Sequence, residues 1–167
     1  MLFSKSFGYA LRGILYVAAM QDEHRKVQVE EIATQLSVPR HFMGKILKKL
    51  VKENLLLSSK GPYGGFSLHP QALSVPLVSV VEITDGLSTF HQCVLRLKGC
   101  NPQEPCPLHN QMDSVKAGLL GVLETTTIQD LLQSDKKGFI KSIATNDIDI
   151  DTLYTKTLQQ QQQYDND

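Results

Sequence analysis

Four side chains able to bind a soft metal fall within one short stretch, "CVLRLKGCNPQEPCPLH", which runs from Cys93 to His109 and holds every cysteine of the 167-residue chain. Six residues separate Cys93 from Cys100, five separate Cys100 from Cys106, and two separate Cys106 from His109. Thiolates are soft ligands that favour zinc, copper(I) or iron–sulfur clusters, and an imidazole can complete the set. Gly99, Pro102, Pro105 and Pro107 break the stretch, which suits a loop wrapped around a cofactor better than a packed helix. Spacing alone leaves three readings open: an iron–sulfur cluster, a zinc site of three Cys and one His, and three reduced thiols on a loop. The paired C-x₂₋₄-C knuckles that usually mark zinc are missing. An odd number of cysteines fits a secreted disulfide framework poorly and a reducing compartment better, so the expected location is the cytoplasm.

The elements that must position this loop can be read from periodicity. From about Ser4 to Met20, Tyr9, Ile14, Val17 and Ala18 recur at helical spacing, and Arg12 interrupts what would otherwise pass as a signal peptide. No window approaches the roughly 18 apolar residues of a membrane span. After a break at "HRKVQV", Ile32, Ala33 and Leu36 share one face of a second helix. The link "SVP" then leads to a third, with Pro39 suited to its first turn. That helix, "RHFMGKILKKLVKEN", carries Phe42, Met43, Ile46, Leu47 and Leu50 on one face and Lys45, Lys48, Lys49 and Lys52 on the other. Two short runs around Gly61, Pro62, Gly64 and Gly65 predict a β-hairpin with a loop of four or five residues. "SVPLVSVVEITDG" predicts a further helix, Leu108, Met112, Val115, Leu119 and Val122 the stripe of a long one, and "TIQDLL" a short one capped by Thr126 or Thr127. The stripe spans only two heptads but must be buried somewhere, and a second subunit is one way to do so.

Formal charge is zero, yet it is unevenly spread. Between Arg40 and Lys60 six cations face the single acid Glu53, whereas Asp147, Asp149, Asp151, Asp165 and Asp167 make the end acidic. Lysines on one helix face are usually a solvated surface. Here they follow a tight turn and precede a Gly-rich hairpin, the order of a winged helix-turn-helix. Arg40 and His41 stand where a recognition helix meets base edges, and Lys45, Lys48 and Lys49 can neutralise phosphate. In the hairpin, Lys60 and Tyr63 are candidate contacts, and Gly61, Gly64 and Gly65 would let backbone approach DNA. Gly44 costs that helix about 1 kcal/mol relative to Ala.

The ordered set "YALRGILYVA", "EIATQLSVPRHFMGKILKKLVKENLLLSSKGPYGGFSL" and "CVLRLKGCNPQEPCPLH" resembles the BadM/Rrf-two family of bacterial transcription regulators over about residues 1 to 132, and within it the iron–sulfur IscR- and NsrR-like branches. The resemblance implies a homodimer of winged-helix subunits joined through a long C-terminal helix, with Cys93, Cys100 and Cys106 as cluster ligands. In the IscR-like branch a histidine two residues after the third cysteine is the fourth ligand, and His109 matches. The NsrR-like branch uses an N-terminal aspartate of the partner, where this chain has Gly8. The sequence is therefore more similar to the IscR-like branch, which favours 2Fe–2S over 4Fe–4S. It departs from that branch in its first cysteine gap of six residues rather than five, and in carrying Gly44 where a glutamate tunes operator choice.

The expected architecture is mainly α with a small β-hairpin wing: a winged helix-turn-helix over 1–86, a cluster loop and dimerisation helix over 87–133, and a polar, disordered tail over 134–167. The expected function is a DNA-binding transcriptional regulator, a repressor, whose binding to a double-stranded operator is controlled by an iron–sulfur cluster sensing redox, nitric oxide or iron–sulfur status. The alternative is the same scaffold using zinc or bare thiols. No enzyme is expected. There is no Ser-His-Asp or phosphate-loop pattern, and His24, His41, His69 and His91 are scattered through polar segments.

Overall fold

A computed structural model of the chain describes residues 3–21 and 25–134, so His24 and the tail beyond Ser134 lie outside the described residues. Helix α1, Lys5–Met20, is the hub, with Ala10, Ile14, Leu15, Tyr16, Val17 and Met20 all buried. Ser4 caps it, its Oγ accepting from the N–H groups of Ser6 and Phe7 at 3.0 and 3.3 Å. Ser4 is itself fixed by Asp85, whose Oδ2 accepts from the Ser4 N–H at 2.7 Å. Arg12, the charge that interrupts the apolar run, lies over the Tyr9 ring, and Tyr9 meets Phe42 edge-on.

Helices α2, Val29–Gln35, and α3, Arg40–Lys52, pack on each other and on α1. Their link turns because Ser37 adopts a left-handed conformation, φ 50°, while Leu36 and Val38 bury on either side. Pro39 sits one step outside the expected first turn, as the N-cap, and its carbonyl accepts from Phe42 and Met43. The α3 stripe buries Met43, Ile46, Leu47 and Leu50, each gaining about 1.5–3 kcal/mol on leaving water. Phe42 stays half-buried, and all four lysines are exposed.

The hairpin forms as expected, with β1, Leu56–Ser59, antiparallel to β2, Gly65–Leu68, across a five-residue loop. Val27, read from the sequence as part of a break, adds a third edge by exchanging both backbone hydrogen bonds with Phe66 at 2.8 Å. After a 3₁₀ turn at Ala72–Ser74, α4, Leu77–Thr84, packs on α1 and on the long helix His109–Thr125. A short α5, Ser88–His91, precedes the cysteine loop.

The long helix is α6, His109–Thr125. Its expected stripe divides. Leu119 and Leu120 pack against the core beside buried Leu123, whereas Val115 and Val122 remain 62% and 58% exposed. Helix α7, Ile128–Ser134, starts at a reciprocal cap: Asp130 accepts from the Thr127 N–H and hydroxyl, and the Asp130 N–H returns to Thr127 Oγ1. Among the described residues no helix is long and apolar enough to cross a membrane.

Candidate functional site

Two surfaces carry the chemistry the sequence singled out. On the first, α3 presents Arg40, His41, Lys45 and Lys48 to solvent beside the wing. Lys49 diverges from them, lining with Lys52, Gln71 and Glu82 a cleft of about 630 Å³ between the end of α3 and α4. Arg40 is not a free cation: its Nε donates to Glu30 on α2. The Glu30 carboxyl is lowered from its ordinary value because its own backbone N–H and then Arg40 favour the charged form. Nothing in the spacing flagged this acid, ten residues upstream and on another helix.

The wing glycines have separate reasons. A Cβ on Gly64 would stand 2.3 Å from the Ser59 carbonyl oxygen, and one on Gly65, at φ 145°, 2.7 Å from that of Val27. Both therefore let the hairpin close on itself and on the Val27 edge. Gly61 meets nothing and stays exposed between Lys60 and Tyr63, the latter 94% exposed at the tip. Gln28 steadies that tip by donating to the Pro62 carbonyl at 3.3 Å.

The second surface gathers the thiols. The Sγ atoms of Cys93, Cys100 and Cys106 all lie within 4.8 Å of one another. Cys93 and Cys106 are 3.8 Å apart, far beyond the roughly 2.05 Å of a disulfide, and all three thiols are free. His109 touches the trio through Cys100, its Nδ1 3.2 Å from that Sγ. The loop is shaped by local backbone bonds: Arg96 N–H to Cys93 carbonyl, Cys100 N–H to Leu97 and His109 N–H to Cys106. Asn101 Oδ1 accepts from Gln103 and Glu104 at 2.9 Å, and Lys116 of α6 reaches back to the Gln92 carbonyl. A cavity of about 370 Å³ opens there, lined by the four candidate ligands with Met112 and Leu95.

Hydrogen bonding to the Leu97 backbone, helped by Cys100, Leu95 and Cys106, draws the Cys93 thiol below its ordinary value against partial loss of water. Cys100 moves up: the Cys106 N–H, at 3.4 Å, favours its thiolate, but loss of water and the neighbouring thiols of Cys106 and Cys93 outweigh it. Three convergent sulfurs with an imidazole beside one of them form a soft donor set that fits an iron–sulfur cluster or a zinc ion. The N-terminal end of α6 beside them favours the negative charge of thiolates.

The Rrf2 family model, described as an iron-dependent transcriptional regulator, matches residues 3–134. A protein of Aquifex aeolicus described as an HTH-type transcriptional regulator is 32% identical over 139 residues, 82% of this chain and 95% of that protein. The chain belongs to the Rrf2 family. As an Rrf2 protein it is a DNA-binding transcriptional regulator, in a family of regulators rather than enzymes. The Rrf2 fold recurs in the structure of CymR (YrzC), the global cysteine regulator of B. subtilis, with TM-score 0.64, 19% identity and coverage of 79% of this chain and 96% of that one. It recurs also in T. potens IscR, with TM-score 0.61, 18% identity and coverage of 78% and 85%. Proteins with such different names share this scaffold, so the fold by itself does not say what the protein responds to.

Proposed function

We propose that this Rrf2 protein is a cytoplasmic repressor, dimeric through α6, whose hold on operator DNA is set by a 2Fe–2S cluster bound by Cys93, Cys100, Cys106 and His109. The observation that carries this reading is the meeting of three thiols within 4.8 Å, with His109 Nδ1 3.2 Å from Cys100, in a chain matched by an iron-dependent family. The preference for 2Fe–2S over 4Fe–4S rests on the resemblance to the IscR-like branch, in which His109 is the matching fourth ligand; Gly8, at the position used by the NsrR-like branch, offers no donor. When bound, the cluster supplies a centre that oxidants, nitric oxide or iron shortage can alter or remove.

The chain's own residues do the rest. Arg40 and His41 face base edges, Lys45, Lys48 and Lys49 neutralise phosphates, and the wing contacts DNA through Lys60, Gly61 and Tyr63, with Gly64 and Gly65 shaping its turn. The labour is divided between residues 1–86, which read, and 87–133, which sense. The cysteine loop is continuous with α6, which packs on α4, which packs on α1, which packs on α3. A change of order in the loop therefore has a packed route to the reading helix, with a coupling of about 1–3 kcal/mol.

Iron and acid-labile sulfide per subunit, with a visible spectrum, on protein purified without oxygen, test this reading. Two of each and a red-brown colour are expected. Four of each overturn the nuclearity, and a colourless protein holding zinc or no metal would leave the thiol or zinc reading in its place.

A further inference from the structure

Two neighbouring acids on α2 hold two arginines in different ways. Glu31 takes Arg25 with both carboxylate oxygens, from Nη1 and Nη2 at 2.8 Å each, and also accepts the Tyr16 hydroxyl at 2.9 Å. That arrangement ties α1, the following segment and α2 together, and Glu31 is less than a third exposed. Glu30 takes Arg40 by Nε alone. Both partners are more than half exposed, and among the described residues Nη1 and Nη2 of Arg40 meet no acceptor. Arg40 is the first residue of α3, on the surface shared with His41 and Lys45.

An exposed pair of this kind adds little to stability, so its use must lie elsewhere. A guanidinium gripped at Nε keeps its Nη fork free and loses much of the rotational freedom of a long side chain. A fork is the group that pairs with guanine O6 and N7 in the major groove. Glu30 itself can make no favourable contact with phosphate, and in a segment otherwise suited to DNA its charge lowers affinity for any sequence.

We infer that Glu30 is a positioning residue for base reading: it aims Arg40 at a guanine and gives up general affinity for selectivity at one base pair. This rests on the reading of α3 as the helix that enters the major groove.

The full-length protein, purified without oxygen, would be selected against a randomised duplex pool as wild type, Glu30→Gln and Arg40→Ala. Each would then be titrated with the wild-type consensus, its single-base variants and an unrelated duplex at two salt concentrations. Arg40→Ala is expected to relax discrimination at one position by about tenfold or more. Glu30→Gln is expected to relax the same position by about fivefold while binding the unrelated duplex equally well or more tightly, and the double variant should add little. A merely structural role would instead weaken all sequences alike and lower the melting temperature. Full discrimination in Glu30→Gln beside lost discrimination in Arg40→Ala would overturn the positioning role and leave Arg40 as reader. No relaxation in Arg40→Ala would overturn the base-reading assignment itself, and the inference with it.

Discussion

From Lys5 to Leu68 each helix and strand sends side chains into one core, whereas between Gln92 and Leu108 no residue is buried and the chain is held by hydrogen bonds within the loop and from Lys116 of α6 to Gln92. The first region spends its apolar residues inward. The second leaves Val94, Leu95 and Leu97 about half exposed around its three thiols. A reader of DNA needs helices fixed relative to each other, and burial fixes them. A sensor needs a part whose order depends on something that comes and goes, and such parts come from the low-stability end of a fold.

The largest expected effect divides the two regions outright. Replacing Cys100 with Ala removes a donor that touches both Cys106 and His109, and iron content should fall to near zero. The thermal unfolding of metal-free protein should barely move, because no buried contact is lost. Iron analysis paired with circular dichroism melts checks this, and a melt lowered as far as by a core substitution would deny that the regions are separable. The converse is Leu47→Ala. Leu47 is fully buried in α3, beside Gly13 of α1, whose Cβ position is already 3.8 Å from the Leu47 side chain. A loss of about 2–5 kcal/mol in urea unfolding is expected, with iron binding surviving wherever the protein remains folded.

The same contrast explains which features could be read in advance. The α3 stripe, the hairpin and the cysteine spacing are local patterns, with periods of three and four, paired turn glycines and ligand types close in sequence. What escaped reading depends on partners distant in the chain. Val27 becomes a strand edge only because Phe66 is there to pair with it. The α6 stripe divides because the core takes Leu119, Leu120 and Leu123 and leaves Val115 and Val122 outside. Gly64 and Gly65, expected to make room for DNA, make room for the backbone of Ser59 and Val27. Arg40, read as a residue that meets base edges, has an acid partner on another helix that the spacing did not flag. His109 stood out as a candidate by its closeness to Cys106 and by the family resemblance, but its contact with Cys100 was not legible.

A smaller effect, inside the well-packed region, comes from Glu31. Hydrogen bonds from Arg25, foremost, and from Tyr16 hold its carboxyl below the ordinary range despite partial loss of water. Burial, with Glu31 next, pushes the Tyr16 phenol well up. Glu31→Gln should cost about 1–2 kcal/mol at neutral pH. A lowered carboxylate stabilises above its unfolded value and loses that contribution as pH falls through its folded one. The gap between wild type and variant should therefore close in acid below the ordinary carboxylate range, as measured by urea unfolding across pH. A gap that stays constant would mean the charge is not what matters.

The smallest effect is the most informative about why one residue was kept. Gly44 lies in the α3 interior, where Ala is favoured by up to about 1 kcal/mol. Unlike Gly64, it has room: an added Cβ would rest 3.9 Å from Val29 Cγ2, an ordinary contact. Gly44→Ala should therefore raise stability by about 0.5–1 kcal/mol. Among the described residues nothing requires the glycine, so the expectation is that its use lies in what α3 meets outside and that operator affinity falls as stability rises. Titration of the selected duplex beside urea unfolding of the same preparation would show that opposition. If both rise together, DNA does not come within a methyl group of this turn of α3, and selectivity rests on the Arg40 end alone.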